Sequence, residues 1–119
     1  MLTEMKALAK QNDICVLATV AGQKPHCSLM AYVTDDNCEE IYMVTHKNSS
    51  KYQNLMQNPA VSLLIDTREK SHRSDAKALT VEGVFRRIEN AVKQKQVASR
   101  LLQTHPHLAT FMQHPEAEV

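Results

Sequence analysis

Tryptophan is absent, and aromatic residues of all kinds make up only 4% of the chain. A platform for stacking bases needs several exposed rings, so this shortage argues against one. Charge of one sign is missing too: fourteen Lys and Arg stand against thirteen Asp and Glu, a formal net charge of +1. Such a balance gives no field to attract a phosphate backbone, and nucleic acid is not an expected partner. Two Gly and four Pro in 119 residues exclude a collagen-like or linker-like chain. No apolar run is long: the longest, Ile14 to Ala21, falls well short of the roughly 20 residues a membrane helix needs. The N-terminal MLTEMKALAKQND is amphipathic and carries both signs of charge, unlike a secretory signal, so a soluble cytoplasmic protein is expected. The cysteines are few as well. Cys15, Cys27 and Cys38 are an odd set without CxxC spacing, which reads as reduced thiols rather than a disulfide or zinc framework.

What is present is ordinary globular sequence, 43% hydrophobic and 23% charged, enough for one domain. Leu2 to Asn12 has helical spacing, with Leu2, Met5, Leu8 and Ala9 on one face. The β-branched run Ile14–Val20 reads as a strand, and Gly22 followed by Pro25 fits a tight hairpin into a second strand, Pro25 to Thr34. Asp35-Asp36-Asn37 is a turn signal, and Glu40 to Thr45 completes a three-strand meander. From Ser49 the period becomes helical and stops at Asn58-Pro59. Ala60–Asp66 and Ala78–Ile88 are the fourth and fifth strands. Gly83 within the fifth predicts a bulge or a close backbone approach. Between them Thr67 to Lys77 is long, polar and charged, either a solvated loop or a flap. After Glu89 the chain is helical again, with Val92, Val97, Leu101 and Leu102 near one face, and beyond Pro106 a last short helix carries Leu108, Phe111 and Met112. Short antiparallel strands with one intervening helix favour a small barrel over a doubly wound sheet.

The segment Thr45-His46-Lys47-Asn48-Ser49-Ser50-Lys51 joins the third strand to the short helix. Its hydroxyls and lysines, next to unpaired N–H groups at a helix start, have the makings of an anion site. A plain Ser-capped helix with solvated lysines has the same spelling. Six histidines raise the question of a metal. Pro106 and Pro115 break any helical pairing of His105, His107 and His114, so no metal site is expected. His26 and His46 read as strand and loop residues before they read as acid–base groups. Tyr32, Tyr42 and Tyr52 read as packing residues that could also stack on a ring.

Taken together, GQKPHCSLMAYV, IYMVTHKNSSKYQNLMQNPAVSLLID and ALTVEGVFRRIE resemble the FMN-binding split β-barrel family of pyridoxamine 5′-phosphate oxidase and the short general-stress-protein-like members. The resemblance covers about residues 12 to 90 and is carried most specifically by Thr45, Ser49 and Lys51 and by Asn58-Pro59-x-Val61-Ser62-Leu63-Leu64. It implies one FMN-binding domain over residues 1–119: an N-terminal helix at 2–12, a split barrel at about 13–89 and C-terminal helices at about 90–113. It places the FMN phosphate at Thr45, Ser49, Ser50 and Lys51, and the ribityl chain and ring along Ser28, Leu29, Met30 and Ala31. It further implies a homodimer with flavin at the seam. Members of the family often add a further strand after the C-terminal helix; with only Pro115–Val119 following that helix here, the expectation is either a barrel of fewer strands or one completed by a partner or by further residues.

Several departures bear on the activity. Ser50 and Ser28 stand where the oxidase has arginines, Ala78 stands where it has Gln, and its Trp-containing segment has no counterpart. The resemblance therefore implies an FMN-dependent oxidoreductase of unknown small-molecule substrate rather than a true pyridoxamine 5′-phosphate oxidase. No protein nucleophile or obligatory side-chain base is expected. The alternative is a non-catalytic flavin carrier or a binder of another planar ligand such as haem.

Overall fold

The two best strands alternate as their sequences require. In β1 (Ile14–Ala21), Cys15, Leu17 and Thr19 turn inward and are buried, while Ile14, Val16 and Ala18 face out. β2 (Lys24–Ala31) returns antiparallel through Gly22-Gln23, with Ala21 opposite Lys24. The turn needs a positive φ at its first position, and Gly22 supplies it at φ +63. The computed structural model describes residues 2–67, 77–113 and 117–118.

Beyond β2 the expected meander changes course. The strand drawn from Pro25 to Thr34 is broken at Tyr32, leaving β3 (Val33–Thr34) separate. The Tyr32 backbone N–H turns to the Asp13 carbonyl at 2.9 Å, its ring is buried, and its hydroxyl donates to the Ala9 carbonyl at 2.6 Å. One buried tyrosine thus ties the end of β2 to α1 (Leu2–Gln11). The strand drawn from Glu40 to Thr45 is likewise two pieces, β4 (Ile41–Tyr42) and β5 (Thr45–His46). β4 pairs with β3, whereas β5 pairs with β8 (Ala117–Glu118). Between them Val44 is buried against a different part of the core.

α2 (Ser50–Gln57) begins where the hydroxyl signal placed it. Ser49 is the N-cap, its side chain accepting from the Tyr52 N–H. β6 (Ala60–Asp66) then runs antiparallel to β1, and β7 (Ala78–Val84) runs antiparallel to β6. The main sheet therefore has the order β2-β1-β6-β7. The fifth strand stops at Val84 rather than Ile88, and its register with β6 is continuous through Gly83, so no bulge forms there. At the foot of the β6–β7 hairpin, Thr67 and Lys77 exchange two hydrogen bonds of 2.9 and 2.7 Å. The loop or flap expected between them spans residues 68–76, outside the described residues.

α3 (Ala91–Thr104) is capped by Asn90, whose side-chain oxygen accepts from the Val92 and Lys93 N–H groups. A short 3-10 turn (Pro106–Leu108) and α4 (Ala109–Gln113) follow.

Among the described residues two clusters gather much of the buried apolar core. The main sheet, α1 and Tyr32 enclose Ala9, Cys15, Leu17, Met30, Leu63 and Ile65. Val44, Val97 and Leu101 form the second, backed by Phe111 and Met112. His105 links the two regions from its buried position at the end of α3, with Nε2 at 3.1 Å from the Tyr32 carbonyl. Some expected face residues lie outside the core: Leu2 and Val92 are each 65% exposed, and Met5 is also exposed. Among the described residues no helix is long and apolar enough to cross a membrane.

Candidate functional site

The loop after β5 is held by its own hydroxyls. Ser49 Oγ donates to the His46 carbonyl at 2.7 Å and accepts from the Tyr52 N–H at 3.3 Å. Since its proton is committed to His46, the 3.2 Å contact with Thr45 Oγ1 has Thr45 as donor. Two of the three hydroxyls expected at an anion, those of Thr45 and Ser49, thus point into the loop itself. His46 lies flat on Phe111, with centroids 3.9 Å apart and the planes 12° from parallel. That stacking anchors the loop to α4.

Lys51 is different. It leaves the first turn of α2 half-buried, and its Nζ donates to the Met30 sulfur at 3.5 Å. A thioether is a weak acceptor for an ammonium group. Thr45, Lys51 and Met30 line one cavity of about 490 Å³, within the roughly 300–1,000 Å³ typical of small-molecule sites. Its apolar walls come from Leu17, Leu55, Leu63 and Val81. Tyr52 and Phe85 contribute rings packed edge to face, with centroids 6.3 Å apart and an interplanar angle of 77°.

Of the strand expected along a ring, the fold brings only part to this cavity. Neighbouring residues of a strand face opposite ways. Met30 lies inward opposite Cys15, and Ser28 lies on the same face opposite Leu17. Leu29 and Ala31 turn to the other side of the sheet, and Leu29 is 74% exposed. Ser28, Ser49 and Ser50 are absent from the cavity wall, and Ser50 is exposed at the start of α2.

Other lining residues were not singled out as site residues. Phe85, Glu39, Glu40 and Arg86 are among them. Glu40 accepts from the Tyr42 hydroxyl at 2.6 Å and from Lys93 Nζ at 2.9 Å. The Tyr42 hydrogen bond, then Lys93, holds the Glu40 carboxyl below its ordinary range. Burial, followed by the bond to Glu40, raises the Tyr42 phenol. The strand alternation would have placed Val81 and Gly83 inward, but only the fold shows that the inward side opens into a cavity at Gly83. Among the described residues no three His, Cys, Asp or Glu gather as metal ligands, and His114 lies outside those residues.

No curated protein sequence matches the chain. Solved structures do share its fold. An FAD-binding protein from Mesorhizobium loti superposes with a TM-score of 0.77 at 17% identity, covering 96% of this chain and 79% of that one. HutZ, the haem storage protein from Vibrio cholerae, gives 0.75 at 20% identity, with 98% and 82% covered. General Stress Protein 26 from Bacillus anthracis gives 0.69 at 22% identity, with 98% and 83% covered. At these identities the likeness is one of fold: an antiparallel, sheet-rich domain with flanking helices. The family is settled by a model that matches residues 1–117, and by that match the chain belongs to the pyridoxamine 5′-phosphate oxidase family.

Proposed function

We propose that the chain is an FMN-binding flavoprotein and a small oxidoreductase of unknown substrate. The observation that carries this reading is Lys51. Its ammonium group enters an apolar, ring-lined cavity with a thioether sulfur as its acceptor, beside the Thr45 hydroxyl. A cation so weakly matched is suited to a ligand anion, and the apolar walls are suited to a flat ring. The donor set therefore fits FMN, with Lys51 holding phosphate charge and Thr45 able to swing its proton from Ser49 to a phosphate oxygen. Bound FMN would supply the redox chemistry, while the chain binds it, orients it and limits access to it.

The haem reading rests on relatives of the same fold, such as the haem storage protein HutZ. The flavin reading rests instead on Lys51 and Thr45, which offer a cation and a hydroxyl donor to a phosphate at one side of the cavity. The arrangement proposed for the site is a homodimer in the cytoplasm. Leu29, Leu64 and Val84 lie on the outward face of the main sheet and are exposed there, and a second copy of the chain is the occupant that would cover them.

Titration of the purified protein with FMN, followed by quenching of flavin fluorescence, tests the reading. Saturable binding of FMN is expected, with haem bound no more tightly. Absence of FMN binding overturns the flavin assignment. Reduction of the bound flavin by NADH or NADPH and reoxidation in air would mark an oxidoreductase, and failure of any such turnover would mark a carrier.

A further inference from the structure

Glycine weakens a strand, and three local circumstances usually explain one there: a positive φ, a bulge, or a neighbouring backbone packed too closely for a side chain. None applies to Gly83. The glycine with a positive φ is Gly22. The ladder runs through without interruption, Val61 opposite Gly83 and Ala60 opposite Val84. A Cβ built on Gly83 meets nothing within 4 Å.

The alternation of β7 shows where that Cβ would go. Leu79 and Val81 lie inward and pack against the main core. Gly83 is the next inward position, but here the face opens into the cavity that Lys51 and Met30 also line. Its cross-strand partner Val61 lines the same cavity. A side chain at 83 would therefore fill ligand space and displace no protein atom.

We infer that Gly83 is a specificity-determining position at which a flat heteroaromatic ring lies against bare β7 backbone. This rests on the flavin reading above and adds the part of the site that admits the ring, as distinct from the part that holds the phosphate.

The experiment compares wild type, Gly83→Ala, Gly83→Val and the control Lys95→Ala, exposed on α3 and absent from the cavity wall. Each is titrated with FMN and with riboflavin, which lacks the phosphate, and each is melted without ligand. Thermal stability should be unchanged or raised in both Gly83 variants. Affinity for both ligands should fall by the same factor, about tenfold for Ala and about a hundredfold or more for Val, the scale on which added methyl groups discriminate in a fitted pocket. Lys95→Ala should bind as wild type does. If Gly83→Val does not melt cooperatively, Gly83→Ala carries the test. Undiminished binding by a folded Gly83 variant overturns this inference and leaves the flavin reading standing. A wild-type protein that binds neither ligand overturns both.

Discussion

An ammonium group beside a thioether has exchanged part of its hydration for a poor acceptor. Lys51 is in that position, half-buried and 3.5 Å from the Met30 sulfur. Replacing it with Ala should lower FMN affinity by about tenfold to a hundredfold, the loss of one charge-assisted hydrogen bond. Riboflavin affinity should hardly change, because it has no phosphate for Lys51 to meet. Equal losses for the two ligands in the same fluorescence titration would remove the phosphate assignment. The cysteines allow a second check on single residues. Burial pushes the Cys15 thiol up to about 12, Cys27 is exposed on β2, and Cys38 is intermediate. Because the thiolate is the reactive form, iodoacetamide should modify Cys27 first and Cys15 only on unfolding. Peptide mass spectrometry over a time course reads that order, and early labelling of Cys15 would contradict its packing.

At the scale of elements, Ser49 separates two roles that one sequence motif could serve. It caps α2 and fastens the loop to the His46 carbonyl. Ser49→Ala should therefore lower unfolding free energy by about 0.5–2 kcal/mol in urea denaturation, the usual cost of a lost cap. Its effect on FMN binding should be smaller than that of Lys51→Ala; the reverse order would return Ser49 to the phosphate. The contact between β4 and α3 also has a pH signature. Glu40 is bound by Tyr42 and Lys93, and its carboxyl is held low. A lowered carboxylate stabilises the fold above its unfolded value, about 4.3, and loses that contribution as pH falls through the folded value. Thermal melts between neutral and acid pH should thus fall less steeply for Glu40→Gln than for wild type.

These same elements show what the sequence could reveal. β1, β6, α2 and the Gly22 hairpin were legible because their causes are local: β-branched alternation, a hydroxyl cap, and a glycine in a two-residue turn. The breaks at Tyr32 and between Tyr42 and Thr45 were not. They are imposed by distant partners, namely Ala9, Asp13 and His105 around Tyr32 and the second core cluster around Val44. At the site, Thr45, Met30 and Lys51 were legible through the resemblance and share the cavity, whereas Gly83 becomes informative only once its register with Val61 is known.

On the whole-molecule scale the feature that asks for a partner is the outer face of the main sheet. Leu29, Val16 and Leu64 lie in one row across β2, β1 and β6. Leu29 is 74% exposed and Leu64 40%, with Val84 on the same face at 70%. β2 is also an edge strand, with Lys24 and Pro25 protecting the end nearest the hairpin. A row of large apolar residues beside an edge is a surface that self-association would bury. The dimer proposed above therefore predicts light scattering at twice the 13.4 kDa chain mass at micromolar concentration. Leu29→Lys with Leu64→Lys should shift the particle to single-chain mass while leaving the inward core intact, so a cooperative melt should persist. If the flavin sits at the seam, the same variant should also bind FMN more weakly, although neither residue lines the cavity within one chain. A wild-type protein of single-chain mass, or a double variant that remains dimeric, would place the apolar row outside any such interface.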